Sequence, residues 1–275
     1  MLSILNNKSL YLWNPSTILL KKLPEIGFWE DSYVFYGFGY DQSYDDYKVL
    51  RGVCCDEYWF NEENFIYSHS IKRKGVRVYS KRSNSWKRIG NCPYNEVLQV
   101  DGAYVDGFFY WLVLEKRGKD QMLCRRIGCF DLGDEKFKNL ELPKFTGHML
   151  HVGVLERFLC LVCNHYESGP GAWTIWVMKE HGIISSWAIV ANIPILFRTP
   201  FVVPLSINKH GEVVLQMGHK KVVKFNSRKN KFDVLVHKNF EIETALYTES
   251  NLSPCTNPKR KATTEAREIL KRVEL

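Results

Sequence analysis

With 275 residues, 45% of them hydrophobic, and no run of about eighteen apolar residues, the chain holds material for one sizeable core and no helical membrane span. The opening "MLSILNNKSLYLWNPS" has neither a basic leader nor a continuous apolar stretch, which argues against a secretory signal and for a cytosolic or nuclear compartment. The formal charge of +8 reads as diffuse, with about +3 of it in residues 259–275, and eight cysteines are too sparse for a disulfide framework and read as reduced thiols.

Short strands are predicted almost throughout. The first hairpin sets an aromatic residue, a turn and a large apolar residue seven positions later: Trp13 to Leu20 in "LYLWNPSTILLKKLP". Asn14 can bond its own turn, Pro15 presets φ, and Trp13 is expected to pack over Leu20 on the facing strand. Strand candidates follow at 33–41 and 47–55, then a polar, aromatic stretch from Asp56 to Ser70 that reads as an extended loop. The hairpin pattern returns as Tyr79 to Trp86 and as Phe130 to Phe137, with strand candidates at 102–115 between them. Asp106-Gly107 inside that stretch is a strong two-residue turn signal. Residues 152–164 read as β, a looser copy of the hairpin runs from Trp176 to Trp187, and 206–217 holds a turn at 209–213. The last clear copy is Phe225 to Phe232.

A unit recurring about every fifty residues cannot bury its apolar face alone and must stack on its neighbours. Four strands per repeat predicts an all-β fold, a β-propeller of about five or six blades, in a ring that the sequence does not require to close. The expected division is a propeller-like domain over 1–247 and a linker with a basic C-terminal helix over 248–275, where Ala262, Ala266, Ile269, Leu270 and Val273 share a face.

Chemistry-bearing clusters are weak. Asp41, Asp45 and Asp46 lack the ligand order of a calcium loop and read as a solvated hairpin turn. His148, His151, Cys160, Cys163 and His165 carry enough nitrogen and sulfur for zinc, but "FLCLVCN" reads as a strand that sends Cys160 and Cys163 to opposite faces. No nucleophile elbow, phosphate-binding glycine loop or HExxH occurs, and "GFGY" at 37–40 is too short for a dinucleotide fingerprint. Cys54 and Cys55 lie near Arg51, without a sign of thiol activation. No enzyme activity, cofactor or metal is therefore expected. Basic residues fall in small groups rather than along a reading element, which disfavours nucleic acid as the main partner.

In order along the chain, "LYLWNPST" with "KKLP", "YGFGYDQSYDDYKVLR", "VRVYSKRSNSWKRI", "DGAYVDGFFYWL", "IGCFDLGDEKFKNLELP", "GVLERFLCLVCN" and "IWVMKEHGIISSW" resemble the plant F-box-associated domain, type 1 and kelch-like, over about residues 10 to 225. The resemblance implies a kelch-like propeller that grips a target protein for a cullin-type ubiquitin ligase. It also implies an F-box that binds a Skp-type adaptor, whereas only nine residues precede "LYLWNPST", so adaptor and cullin are expected only where an F-box is supplied elsewhere.

The expected function is thus a protein–protein interaction module, with binding of nucleic acid or another polyanion through a basic rim and tail as the alternative. Contacts are expected from the irregular aromatic segments 57–67, 165–173 and 195–204, with Tyr58, Trp59, Phe60, Tyr166, Phe197 and Arg198 as anchors.

Overall fold

The hairpin repeat is built by one turn used again and again. In the computed structural model, which describes residues 2–5, 9–26, 34–54, 57–61, 66–70, 75–117, 122–143, 147–165, 171–195, 199, 201–240, 244 and 253–254, the predicted partners face each other across strand pairs: Trp13 and Leu20, Tyr79 and Trp86, Phe130 and Phe137, Phe225 and Phe232. Each pair is closed by a four-residue turn whose last residue has positive φ: Ile18, Asn84, Glu135 and Asn230. A side-chain oxygen just before the turn caps it, as Asn14 Oδ1 accepts from the Ser16 amide at 2.9 Å and Asn226 Oδ1 from the Lys229 amide at 3.0 Å. "YDQSYDDY" is a further copy, with Tyr40 facing Tyr47, Asp45 at positive φ, and Asp41 Oδ1 capping Ser43 at 2.9 Å.

These hairpins join into five antiparallel sheets in chain order. The first holds β1 (Leu2–Leu5), β2 (Ser9–Asn14) and β3 (Leu19–Lys22). The second holds β4 (Val34–Asp41) and β5 (Asp46–Val53), then a separate two-stranded hairpin of β6 (Glu57–Asn61) and β7 (Ile66–Ser70), then β8 (Gly75–Ser80) and β9 (Ser85–Gly90). In the third, β10 (Glu96–Val97) and β11 (Ala103–Val105) lie end to end along β12 (Phe108–Arg117), followed by β13 (Met122–Asp131) and β14 (Lys136–Lys138). The fourth is β15 (His148–Leu155), β16 (Phe158–His165), β17 (Ala172–Met178) and β18 (Trp187–Pro194); the fifth is β19 (Val202–Ile207), β20 (Glu212–Met217), β21 (Lys221–Asn226) and β22 (Lys231–His237).

Every neighbouring pair of sheets shares an apolar core. Leu12 and Leu23 meet Val49 and Tyr79; Phe35, Leu50 and Val78 meet Phe109, Trp111 and Phe130; Tyr110 and Ile127 meet Leu159, Leu161 and Trp187; Ile175 and Ile193 meet Val213, Leu215 and Phe225. The opening strands β4, β11, β15 and β19 neighbour one another along the inside of the stack. Propeller-like stacking of five such sheets is the architecture predicted from the fifty-residue period.

Three expectations change. Asp56–Ser70 contains the β6–β7 hairpin rather than an extended loop, because "EYWFN" and "IYSHS" each have strand composition and length. The looser fifth copy has a different register: Trp187 faces Met178 and Trp176 faces Ile189, since residues 179–186 include a short 3-10 turn, Ile184–Ser186, in place of the four-residue turn. Asp41 and Asp46 are buried, not solvated. The predicted C-terminal helix over 257–275 lies outside the described residues.

"GFGY" has a packing role. Rings of the third sheet press on the second: a Cβ at Gly37 would stand 2.8 Å from Phe109 Cγ, and one at Gly39 would overlap the Tyr104 ring.

Candidate functional site

Strand alternation divides the stack into two rims. The turns between the first and second and between the third and fourth strands of the second to fifth sheets all point one way: 42–45, 81–84, 106–107, 132–135, 156–157, 179–186, 208–211 and 227–230. Most are two to four residues long, so this rim is tight. The opposite rim receives the longer connections, including those between Val53 and Gly75, Arg117 and Met122, His165 and Ala172, and Pro194 and Val202.

Polar side chains rivet the tight rim. Lys48, almost fully buried, sits 2.7 Å from Asp41 Oδ2 and 3.0 Å from Glu135 Oε1, while Lys87 reaches Glu135 Oε2 at 2.7 Å, so four charges bridge the second and third sheets. Burial works against the charge of Lys48, but its bonds to Asp41 and Glu135 outweigh it and hold the ammonium above its ordinary range. Burial likewise works against Glu135, and the Lys87 and Lys48 bonds prevail and hold that carboxyl below its ordinary range. One junction further on, the Tyr110 hydroxyl lies 2.6 Å from His181 Nδ1, and Phe108 stacks on the imidazole at 3.9 Å, docking the 179–186 loop onto the third sheet. Burial raises the Tyr110 pKa, so the phenol stays protonated at this contact.

Inside the stack a single side chain replaces a missing stretch of backbone pairing. Where the inner strand of the third sheet breaks between β10 and β11, Gln99 Nε2 donates to the Val152 carbonyl at 2.9 Å, and its Oε1 accepts from the Val152 amide at 2.9 Å and the Leu112 amide at 3.2 Å. Gln99 Nε2 is also 3.0 Å from His151 Nδ1, whose pKa burial pushes down to about 4. The neighbouring break joins the second sheet, as the Tyr36 carbonyl accepts from both Gly102 N at 2.7 Å and Trp111 Nε1 at 2.9 Å.

The predicted zinc ligands are dispersed. Cys160 belongs to the core between the fourth and fifth sheets and Cys163 to the core between the third and fourth, on opposite faces as the strand pattern implied. Burial raises both thiols, Cys163 to about 12, which leaves them protonated packing groups. His148 is exposed, His151 bonds Gln99, and no group of three ligating side chains occurs among the described residues. Cys54 is buried and donates to the Tyr94 carbonyl at 3.0 Å.

Tyr58, Trp59 and Phe60 lie on β6, in the excursion that leaves the second sheet at the long-connection rim. Tyr166, Phe197 and Arg198 lie outside the described residues, while the flanking strand ends at His165, Pro194 and Val202 belong to that same rim. Two residues that sequence reading passed over join them there: Met122 and Leu123 at the start of β13, both exposed, with the exposed Arg125 donating to the Met149 carbonyl at 2.6 Å. Their signal was apolar residues beside a connection, "DQMLCRR", without the alternation of a buried strand.

Stacked antiparallel sheets, mostly four-stranded, with a shared inner lining define a β-propeller-like scaffold. The family model for the F-box associated beta propeller domain matches residues 1–256, and the chain belongs to that family. Among curated proteins it is 29% identical over 259 residues to an F-box/kelch-repeat protein of Arabidopsis thaliana, a match covering 90% of this chain and 65% of the relative. It is 30% identical over 257 residues to F-box protein CPR1 of the same plant, covering 82% of this chain and 59% of that one. The chain thus spans less than two thirds of the length of these relatives. Among the described residues no helix is long and apolar enough to cross a membrane.

Proposed function

We infer that the chain is the target-holding module of an F-box-type ubiquitin ligase subunit, gripping its target through the long-connection rim and performing no chemistry of its own. The observation that carries this is the asymmetry of the rims: one is closed by riveted short turns, and the other sets exposed Met122 and Leu123 beside Arg125 on a rigid stack. Apolar anchors next to an arginine are the composition that desolvates well at protein interfaces. Tyr58, Trp59, Phe60, Tyr166, Phe197 and Arg198 extend the same surface in this reading. A Skp-type adaptor and a cullin join wherever an F-box is supplied, in the cytosol or nucleus.

The test is target turnover. Cells producing the chain joined to an F-box are compared with cells producing the Met122→Asp, Leu123→Asp, Arg125→Glu triple variant, scoring both bound proteins and their half-lives. The expected result is a set of proteins that bind the parent, live shorter in its presence, and are released and stabilised by the variant. An unchanged set with unchanged half-lives would overturn the assignment.

A further inference from the structure

The fifth sheet departs from the others in charge and in the exposure of its last strand. Residues 202–240 hold eight Lys or Arg against Glu212 and Asp233, so this one sheet carries a net +6 of the chain's +8, while 241–275 as a whole is neutral. The charge that looked diffuse is concentrated.

The last strands of the second, fourth and fifth sheets share an irregularity. In each, one residue is left without a partner by a bulge: Ile89 between the partners of Val76 and Arg77, Val190 between those of Ile175 and Trp176, Leu235 between those of Val222 and Val223. All three are aliphatic and stand three positions after the aromatic Trp86, Trp187 or Phe232. Ile89 packs into the core shared with the third sheet, and Val190 into the core shared with the fifth. Leu235 is 52% exposed, and around it Val234 is 61%, Val236 37% and Phe240 51% exposed. Among the described residues β22 pairs only with β21, so its outer row of backbone groups borders no strand. Exposed Arg228, Lys229 and Lys231 stand at one end of this apolar run and Lys238 at the other, with Lys238 Nζ 5.7 Å from the Phe240 ring centre.

We propose that the outer edge of β22 is a docking strip for an extended acidic peptide of a partner protein, with Asp or Glu alternating with aliphatic residues. Strand addition satisfies the edge backbone, and the peptide's alternate side chains then face either Val234 to Val236 or water. The bracketing cations select acidic residues at the peptide's ends and speed its encounter. Nucleic acid fits the charge but not the strip, because Val234, Leu235 and Val236 gain nothing from phosphate and Phe240, with Lys238 beside it, is a single ring rather than a row on which successive bases could stack. The strip lies on the side of the fifth sheet rather than on the long-connection rim, and it goes beyond the target-holding reading.

Fluorescence anisotropy on the full chain decides the matter. The probes are a labelled short peptide alternating glutamate with leucine or valine, the same peptide with serine at every aliphatic position, and a single-stranded oligonucleotide. The aliphatic peptide should bind and slow amide exchange along β22, the serine peptide should bind about tenfold more weakly, and Leu235→Ser with Val236→Ser should remove that difference while leaving the thermal midpoint unchanged. Lys231→Glu with Lys238→Glu should weaken both peptides. The Met122→Asp, Leu123→Asp, Arg125→Glu variant should bind the peptide as the parent does, which separates failure here from failure of the target-holding assignment. Equal binding of the two peptides, tighter binding of the oligonucleotide, or indifference to the Leu235 and Val236 substitutions would overturn the proposal.

Discussion

The junction between the second and third sheets and the outer side of the fifth are made from the same repeat, yet one is buried and the other exposed. At the junction, Phe35 meets Trp111 edge-on at 5.1 Å, Phe109 stacks on Phe130 at 6.4 Å, and Ile89 is drawn underneath. On the fifth sheet the equivalent bulged residue, Leu235, faces outward. The local code is the same in both places. What a repeat residue does is decided by whether a further sheet lies against it, which is the nearest-neighbour logic of stacked repeats.

The contrast can be broken first at its buried pole. Trp111→Ala removes a fully buried ring and its bond to the Tyr36 carbonyl, and should lower stability by about 3–5 kcal/mol in urea unfolding. Gln99→Leu should cost about 2–3 kcal/mol, because the Val152 amide and carbonyl both lose their partner between the third and fourth sheets. Acid sharpens the comparison further. Burial holds His151 near 4 against an ordinary 6.5, so the unfolded chain takes up this proton first and stability should fall as pH drops from 6.5 to 4. Glu135, held low by its lysines, adds a second loss below its ordinary 4.5 as pH falls through its folded-state value. Thermal midpoints read against pH should show both stages, and His151→Asn should flatten the upper one alone. A gentler change lies at the first turn, where β-branched Ile18 is held at φ 56°: Ile18→Gly should gain about 1 kcal/mol by relieving that conformation. Smallest of all, Leu235→Ser should shift stability by less than about 0.5 kcal/mol, whereas Ile89→Ser at the matching position should cost more than about 1 kcal/mol.

Most of the architecture was legible because a seven-residue spacing between aromatic and apolar partners encodes one hairpin, and Trp13, Tyr79, Phe130 and Phe225 each announce it. The Tyr40–Tyr47 copy was hidden by its acidic turn, which draws the eye to metal ligands although Asp41 and Asp46 bond inside their own sheet. Trp176–Trp187 misled for the opposite reason: the residues are of the right kind, but a longer loop shifts the register. Gly37 and Gly39 read as an empty dinucleotide motif because the rings that fill the space above them arrive from residues 104 and 109, far along the chain. Aromatic composition singled out 57–67, 165–173 and 195–204 as contact segments, and the connection before Met122 carries no such composition. Met122, Leu123 and Arg125 gain their meaning from sharing a rim, and that follows from strand direction rather than from local sequence. The bulges were invisible, since Ile89, Val190 and Leu235 look like ordinary strand residues until their partners are counted.

On the tight rim, Lys81 Nζ reaches the Ser253 carbonyl at 2.8 Å, a contact between residues 172 positions apart, and the neighbouring Pro254 is buried. During synthesis this hairpin must therefore wait for another 172 residues to leave the ribosome before it gains the contact. A message cut short upstream of Ser253 would release a product in which Lys81 keeps only its place over the Tyr47 ring, 5.5 Å from its centre.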